Sequence, residues 1–390
     1  MSFVTPPIIH WQDTTLPDQP AQPHQARWIS EAGLPPPDRV VIANDTLSAD
    51  AAFKLIQSGT ALLWQGDYPN ARHLLQALVR RVDRPARNAP APAKTAHEAF
   101  ERHRATQGRR ATLLAHLLVP LTTDYRLPLR RGQDVRDACI AALGPINPNA
   151  GDAVISLRGL LALVSAYEWR KKGAWVPALD ARIHPHFGVF SPVRGEYVDL
   201  VANAPLPQPC NEAWDIGTGS GVLTCLLAKR GIPQVIGTDL SQRALACAQD
   251  NVQRLGYTDQ VTLMAADLFP SGRPPADLIV CNPPWVPAHP TSPVEAAVYD
   301  PDSQMLKAFL AGAGQYLSPQ GEIWLILSDI AEHLGLRSRA ELLDWMTAGG
   351  LQVIDRLETR PHHPKTRNNT DALHQARSAE ITALWRLKKA

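Results

Sequence analysis

Two rhythms of apolar residues divide this chain. Between about residue 39 and residue 175 the spacing is mostly three and four. Leu74, Leu75, Leu78 and Val82 share one helix face, with Arg72, Gln76 and Arg80 opposite. Val135, Ala138, Cys139 and Ala142 repeat the pattern and stop at Gly144-Pro145, which cannot continue a helix. A further helix is expected over roughly 97–118, and another capped by Ser156 and carrying Leu160, Leu161 and Val164. One short strand, Arg39–Ala43, precedes them. From about residue 195, short apolar runs alternate with helical stretches, which is the pattern of a parallel sheet. Those runs are 213–216, 234–237, 261–265, 278–281, 322–328, 351–357 and 381–387. Ser338 and Glu341 have the spacing of a capping box at the start of a helix.

The expected organisation is therefore an irregular, proline-rich arm over 1–38, a mainly helical domain over 39–175 and an α/β domain over 176–390. Arg84–Lys94, with its prolines and alanines, reads as a loop or linker. At 390 residues the chain is long enough for two cores, and 45 % hydrophobic with 19 % charged residues excludes a disordered chain. The net charge of +2 is unevenly spread, at about +5 over residues 1–200 and about −3 beyond. The five cysteines, at 139, 210, 225, 247 and 281, are odd in number and lack Cys-x-x-Cys spacing, so they read as buried thiols of a reducing compartment. Met1–Pro17 lacks a basic-then-apolar leader pattern, and no run reaches membrane-spanning length. A cytoplasmic protein is expected.

Two groups of side chains in the first half invite a functional reading. Arg102, Arg104, Arg109, Arg110, Arg130, Arg131, Arg170, Lys171 and Lys172 could track the phosphates of an RNA. They fit a solvated helix face better, because aromatic residues are not interleaved with them. His184 and His186 suggest a metal, but no third ligand stands at a useful spacing, and no metal site is expected.

The chemistry collects in the second half. Asp215 ends the first strand and runs into Gly217-Thr218-Gly219-Ser220-Gly221, a loop whose glycines allow a tight turn and close approach of a ligand. Asp239 ends the next strand, placed for the two hydroxyls of a ribose. A nicotinamide or flavin fingerprint puts its third glycine three residues after the second, whereas here it follows after two. An acid at position 215 would also repel a pyrophosphate. The fourth strand ends in Asn282-Pro283-Pro284-Trp285. The prolines stop the strand and remove two donors. That leaves the Asn282 side-chain oxygen and the Pro283 carbonyl as free acceptors beneath an indole, a site for a planar NH2 group.

In the combination of these motifs the region 184–390 resembles class I S-adenosylmethionine (SAM) dependent N-methyltransferases. Within them it is most similar to the small-domain group of release-factor glutamine and ribosomal RNA guanine-N2 methyltransferases. The resemblance implies a Rossmann-like domain with a mostly parallel seven-stranded sheet and helices on both faces. It also implies SAM as cofactor, with Asp215, Gly217, Gly219 and Gly221 at its methionine end, Asp239 at the ribose, Asp267 at the adenine amino group, and Leu240 and Asn282 among the residues that bind it. Leu268 or Phe269 would lie beside the adenine ring, and Phe190, with Ser191, would close over the cofactor. Asn282, Pro283 and Trp285 would bind the target nitrogen, with 286–300 (His289, Glu295 and Tyr299 included) as a lid. Two features depart from the release-factor enzymes, which typically have Tyr where this chain has Trp285 and a much smaller N-terminal domain.

The implied activity is methylation of an amide or exocyclic nitrogen on a macromolecule, either a translation-factor glutamine or an RNA base. A small-molecule amine as substrate, and a non-catalytic SAM-fold protein that binds RNA, stand as alternatives.

Overall fold

The computed structural model describes residues 7–13, 22–84, 91–193, 195–290, 295–361 and 373–390. The chain divides into two compact units, Met1–Pro92 with Arg102–Glu168, and Ala93–Glu101 with Trp169–Ala390.

The first unit is built on a sheet. Its strands are β1 (Ile8–Asp13), β2 (Gln22–Ile29), β3 (Arg39–Ala43), β4 (Thr60–Trp64), β5 (Leu117–Leu121) and β6 (Ala153–Ser156). They lie in the order β1-β2-β6-β5-β4-β3. Its helices are α1 (Ala49–Gln57), α2 (Tyr68–Val82), α3 (Ala96–Ala115), α4 (Arg136–Leu143) and α5 (Leu157–Lys172), and α3 and α5 run across the division between units. Two expectations are corrected here. Residues 39–175 are mixed α/β and not mainly helical, and the stretch before residue 39 supplies two strands and is no irregular arm. The cause lies in β4 and β5. Thr60–Trp64 is buried throughout and Leu117–Leu121 nearly so. A central strand covered on both faces shows no alternation, so its short apolar run cannot be told from part of a helix. The apolar run that leads the 97–118 helix pattern onward is, from Leu117, strand β5.

Several residues of the basic group are held in ion pairs. Arg110 meets Asp83 at 2.6 Å, while Arg130 and Arg131 meet the buried Asp67 at 3.0 and 2.6 Å. The Asp67 carboxyl is lowered from its ordinary value, first because of its hydrogen bond with Arg131. In the second unit Arg170 pairs with Asp250 at 2.6 Å. A guanidinium committed to a carboxylate is a poor phosphate tracker, which favours the solvated-face reading of this group.

The second unit opens with a small hairpin, β7 (Ala174–Val176) and β8 (Ala181–Ile183), and α6 (Glu196–Asn203). There follow β9 (Glu212–Ile216), α7 (Val222–Lys229), β10 (Gln234–Asp239), α8 (Gln242–Leu255), β11 (Val261–Ala265), β12 (Ala276–Cys281), α9 (Gln304–Ala313) and β13 (Leu317–Ser328). Then come α10 (Ile330–His333), α11 (Arg339–Ala348), β14 (Leu351–Thr359), α12 (His374–Ala379) and β15 (Thr382–Lys389). The sheet order is β11-β10-β9-β12-β13-β15-β14, with β15 antiparallel to both neighbours and the other pairings parallel. This is the Rossmann-like, seven-stranded arrangement. Side chains alternate across it. Leu278, Val280, Trp324 and Ile326 pack on α6–α8, whereas Ile279, Cys281, Ile323 and Leu325 pack on α9 and α11. Phe100, only 2 % exposed, joins Val286, Ile330, Leu334, Leu373 and Ala376 in a third cluster, which accounts for 93–101 belonging to this unit.

Strand order reverses between β9 and β12, neighbours in the sheet that are separated in sequence by β10 and β11. A crevice opens at such a reversal, at the carboxyl ends of the strands. Cys281 pairs with Ile216, so Asn282 and Gly217 leave the sheet at the same level.

Candidate active site

The glycine loop between β9 and α7 is fixed from beneath by main-chain hydrogen bonds. The Gly217 and Thr218 amides donate to the Thr238 carbonyl at 2.9 and 2.8 Å, and the Gly219 amide donates to Asp239 Oδ2 at 3.0 Å. Gly217, Gly219 and Gly221 have φ of 75°, 56° and 78°, the left-handed region that disfavours side chains. At Gly221 a Cβ would also meet the Ala248 backbone at 3.0 Å, so glycine is what lets α7 and α8 close together. At Gly219 the nearest atom to where a Cβ would stand is the Gly217 carbonyl oxygen at 3.9 Å, an ordinary contact, so the left-handed φ and not crowding is what favours glycine there.

The two acids serve this loop differently. Asp239 accepts from the Gly219 and Ser241 amides, one on each carboxylate oxygen, which fixes the carboxylate plane at the sheet edge. Leu240 beside it is 70 % exposed, an apolar surface at the mouth of the crevice. Asp215 is 1 % exposed and accepts from Thr224 Oγ1 at 2.6 Å, with Thr218 Oγ1 a further 2.6 Å from that hydroxyl. Burial pushes its carboxyl up to about 6, against the hydrogen bonds that favour the charged form.

Beyond β11, Asp267 is exposed, and Leu268 has φ of 67° with its carbonyl taken by Thr238 Oγ1 at 2.6 Å. Phe269 turns away into the core, stacked on Phe309 and on Tyr316 with centroids 5.9 and 4.6 Å apart. Of the two residues expected beside an adenine, Phe269 is engaged in this ring stack, while Leu268 is half-buried.

The segment before the seven-stranded sheet is clamped to α8. His184 N donates to Asn251 Oδ1 (2.8 Å), His186 Nε2 meets Asp250 Oδ2 (2.8 Å), and Arg243 donates to the Phe187 carbonyl (3.3 Å) and covers the Phe187 ring. His184 Nδ1 is engaged by the Arg170 carbonyl at 2.7 Å. Each imidazole therefore holds chain to chain. Half-buried Phe190 and Ser191 follow, the latter accepting from Trp169 Nε1 at 3.1 Å. Asn251 was not anticipated. Fully buried, it also donates to the Ser220 carbonyl at 3.0 Å and so joins this segment to the glycine loop. Its signal is an amide on the apolar stripe of α8, beside Ala244, Cys247, Ala248 and Val252.

At the other lip, Asn282 is half-buried and Pro283 buried. Here one expectation is corrected. The Asn282 oxygen is not free, because Trp285 Nε1 donates to Oδ1 at 2.9 Å. The indole can reach because the two prolines turn the chain back within three residues. One lone pair of Oδ1 remains for a substrate donor. Val286 bridges to Tyr299, and Val286 N donates to the Val298 carbonyl at 3.1 Å, so the segment after the motif closes on itself at its base. Residues 291–294 within it lie outside the described residues. Asp300 was also missed. Buried at 6 % exposure, it accepts from the Met305 and Leu306 amides at 3.0 and 3.1 Å and caps α9. Met305 in turn lies against Gly217, its terminal methyl 3.4 Å from where a Cβ would stand. No helix among the described residues is long and apolar enough to cross a membrane.

Residues 180–341 match the family model of the methyltransferase small domain. The chain is 35 % identical over 161 residues to the release factor glutamine methyltransferase of Geobacter sulfurreducens, covering 37 % of this chain and 55 % of that protein. It is 34 % identical over 178 residues to the tRNA1(Val) (adenine(37)-N6)-methyltransferase of Serratia proteamaculans, covering 42 % of this chain and 65 % of that one. The chain thus spans between about half and two thirds of the length of these relatives.

Proposed function

We propose that this chain, whose residues 180–341 carry a methyltransferase small domain, transfers a methyl group from SAM to a planar nitrogen of a macromolecular substrate. One observation carries the reading. Asn282 and Pro283 follow β12 at the level where Gly217 follows β9, so an acceptor pair for an NH2 group stands beside a loop of three left-handed glycines at one sheet edge. The named relatives are a glutamine and an adenine-N6 enzyme, and both target groups are NH2 nitrogens conjugated to a π system.

The residues present fit the cofactor. Gly217–Gly221 leave room for its methionine end, with Asp215 beneath the loop to balance an ammonium group. Asp239 offers its remaining lone pairs to the ribose hydroxyls. Leu240, Leu268 and Phe190 are the apolar surfaces for the adenine, and Asp267 is the acceptor for its amino group. When bound, SAM supplies the electrophilic methyl, and the chain's task is alignment and exclusion of water.

A conjugated NH2 nitrogen is a poor nucleophile because its lone pair is delocalised. Asn282 Oδ1 and the Pro283 carbonyl accept its two hydrogens and stabilise the pyramidal, partly positive nitrogen of the transition state over the flat ground state. Trp285 holds the Asn282 amide in the orientation this needs and offers a ring to cover the planar group. Of the segment expected as a lid, the described parts, 286–290 and 295–300, follow directly on the Asn282–Trp285 motif.

Tritiated SAM, incubated with purified protein and separately with release factors, tRNA, rRNA and ribosomes, tests the reading. Label in one macromolecular fraction is expected. SAM binding with label in none of them would return the choice to a small-molecule amine.

A further inference from the structure

The chain returning from the target lip to α9 takes an uncommon path. Asp302 and Ser303 have φ of 53° and 55°, two consecutive left-handed residues without a glycine. Backbone of that kind persists only where its surroundings enforce it. Here both ends are tied. The Asp300 amide donates to the Val286 carbonyl at 2.9 Å, and the Asp300 carboxylate accepts from the Met305 and Leu306 amides. Ser303, 3 % exposed, donates its amide to the Asp300 carbonyl at 3.0 Å. The turn thus fixes the backbone of Met305 relative to Val286, the residue that follows Trp285.

What the turn delivers is one half-buried side chain. Met305 packs on the cluster that contains Ile216 and Cys281, the last residues of β9 and β12, and Trp285 packs on the same cluster. The Met305 terminal methyl stands 3.4 Å from where a Cβ on Gly217 would be, so it occupies the side that this glycine leaves free. Met305 therefore lies on the α9 side of the sheet edge, where Gly217 and Asn282 leave neighbouring strands at one level. A thioether side chain is unbranched and apolar, and it offers a target NH2 no strong acceptor in competition with Asn282 and Pro283.

We propose that Met305 is a wall of the donor site, the side chain against which the transferring methyl of SAM lies. It closes the α9 side of the gap between that methyl and the target nitrogen and limits how the two approach. The inference rests on the methyl-transfer reading above and adds to it a residue that no sequence motif marks. SAM and S-adenosylhomocysteine differ by this one methyl and its positive charge, so a residue lying against the methyl tells them apart.

The test uses the full chain with Met305→Ala and Met305→Leu. Calorimetry measures SAM and S-adenosylhomocysteine, and turnover is read as tritium passed from SAM to release factors, tRNA, rRNA or ribosomes. Met305→Ala should weaken SAM about fourfold relative to S-adenosylhomocysteine, the contribution of one buried methyl. Turnover at saturating SAM should fall by up to about 100-fold, the scale of loss when reacting groups are misplaced. Met305→Leu, of similar volume, should restore both. Met305→Gln, which keeps the length but ends in a polar group, should lose as Ala does and gives the same comparison if the alanine variant does not fold. A side chain that only supported the fold would weaken the two ligands alike and show first in the melting temperature. The proposal is overturned if the ratio of the two affinities is the same in wild type, Met305→Ala and Met305→Gln, or if Met305→Leu is as impaired as Met305→Ala. Failure of the macromolecular reading shows separately, as a wild type whose preference between the two ligands depends on Met305 but which passes tritium to none of the fractions; that result keeps the donor wall and strikes the acceptor.

Discussion

The two lips of the crevice are held by different means. The glycine loop is tied by partners distant in sequence: Thr238 takes two of its amides, Asp239 a third, and Asn251 reaches the Ser220 carbonyl from the middle of α8. The target lip is held locally. Asn282 is oriented by Trp285 three residues on, and the segment beyond closes through Val286, Val298 and Tyr299. A loop fixed by tertiary contacts is built before any ligand arrives, whereas a locally held lip can re-form around a substrate. Substitutions on the first side should therefore read out in cofactor affinity, and on the second in turnover.

The largest expected effect would break that division most plainly if it failed. Asn282→Ala removes one of the two acceptors proposed for the target nitrogen and touches none of the ties on the loop. Turnover should fall by roughly two to three orders of magnitude, with SAM affinity nearly unchanged. Asn282→Asp, which keeps acceptors in place, should retain more activity than Ala. Turnover kinetics beside calorimetry checks both. A near-normal Asn282→Ala enzyme would make the Pro-Pro turn merely architectural.

On the other lip, Asp239→Ala removes the acceptor of the Gly219 amide together with the acceptor proposed for the ribose hydroxyls. Calorimetry should show SAM and S-adenosylhomocysteine both weakened by about 1.5–3 kcal/mol, the range for charge-assisted hydrogen bonds. Turnover at saturating SAM should change far less.

How much of this could be read from the chain followed from how local each signal is. The seven runs of the catalytic sheet are short and regularly spaced, and each found its strand; the Ser338–Glu341 capping box also formed, with Glu341 N donating to Ser338 Oγ at 3.1 Å. Asp215, Asp239 and Asn282 stand at strand ends because the fold delivers them there. Four of the five cysteines are buried, with Cys210 intermediate. The six-stranded sheet of the first unit stayed hidden, because β4 and β5 are apolar on both faces and β6 is four residues long. Asn251, Asp300 and the Asn282–Trp285 bond were also out of reach. Each depends on which side chains meet in space, and periodicity carries no such information.

The buried acid beneath the loop sharpens the comparison by opposing signs. Asp215 has a folded pKa pushed up to about 6, above its ordinary 3.8. A raised carboxyl stabilises the fold in its protonated form, so the ligand-free chain should lose that contribution as pH rises through 6 and regain it on acidification. Balancing the cofactor ammonium needs the ionised form. Affinity for S-adenosylhomocysteine should therefore fall below pH 6, approaching tenfold per pH unit. Calorimetry from pH 8 to pH 5 checks this, and Asp215→Asn should flatten the profile. A wild-type profile as flat as the Asn variant would mean that Asp215 only supports Thr224.

Trp285→Phe is the smallest effect and the finest probe of the target lip. The phenyl ring still covers a planar group, but the donor to Asn282 Oδ1 is gone. A single neutral hydrogen bond contributes about 0.5–1.5 kcal/mol, so turnover should fall only about 2- to 13-fold. Trp285→Ala should cost more, having lost the ring as well. If the indole acts by orienting Asn282, the Phe penalty should vanish in an Asn282→Ala background, where nothing is left to orient. A double-mutant cycle on turnover measures that coupling. Independent, additive penalties would assign Trp285 to stacking alone and leave the Asn282 amide to be oriented by the substrate it binds.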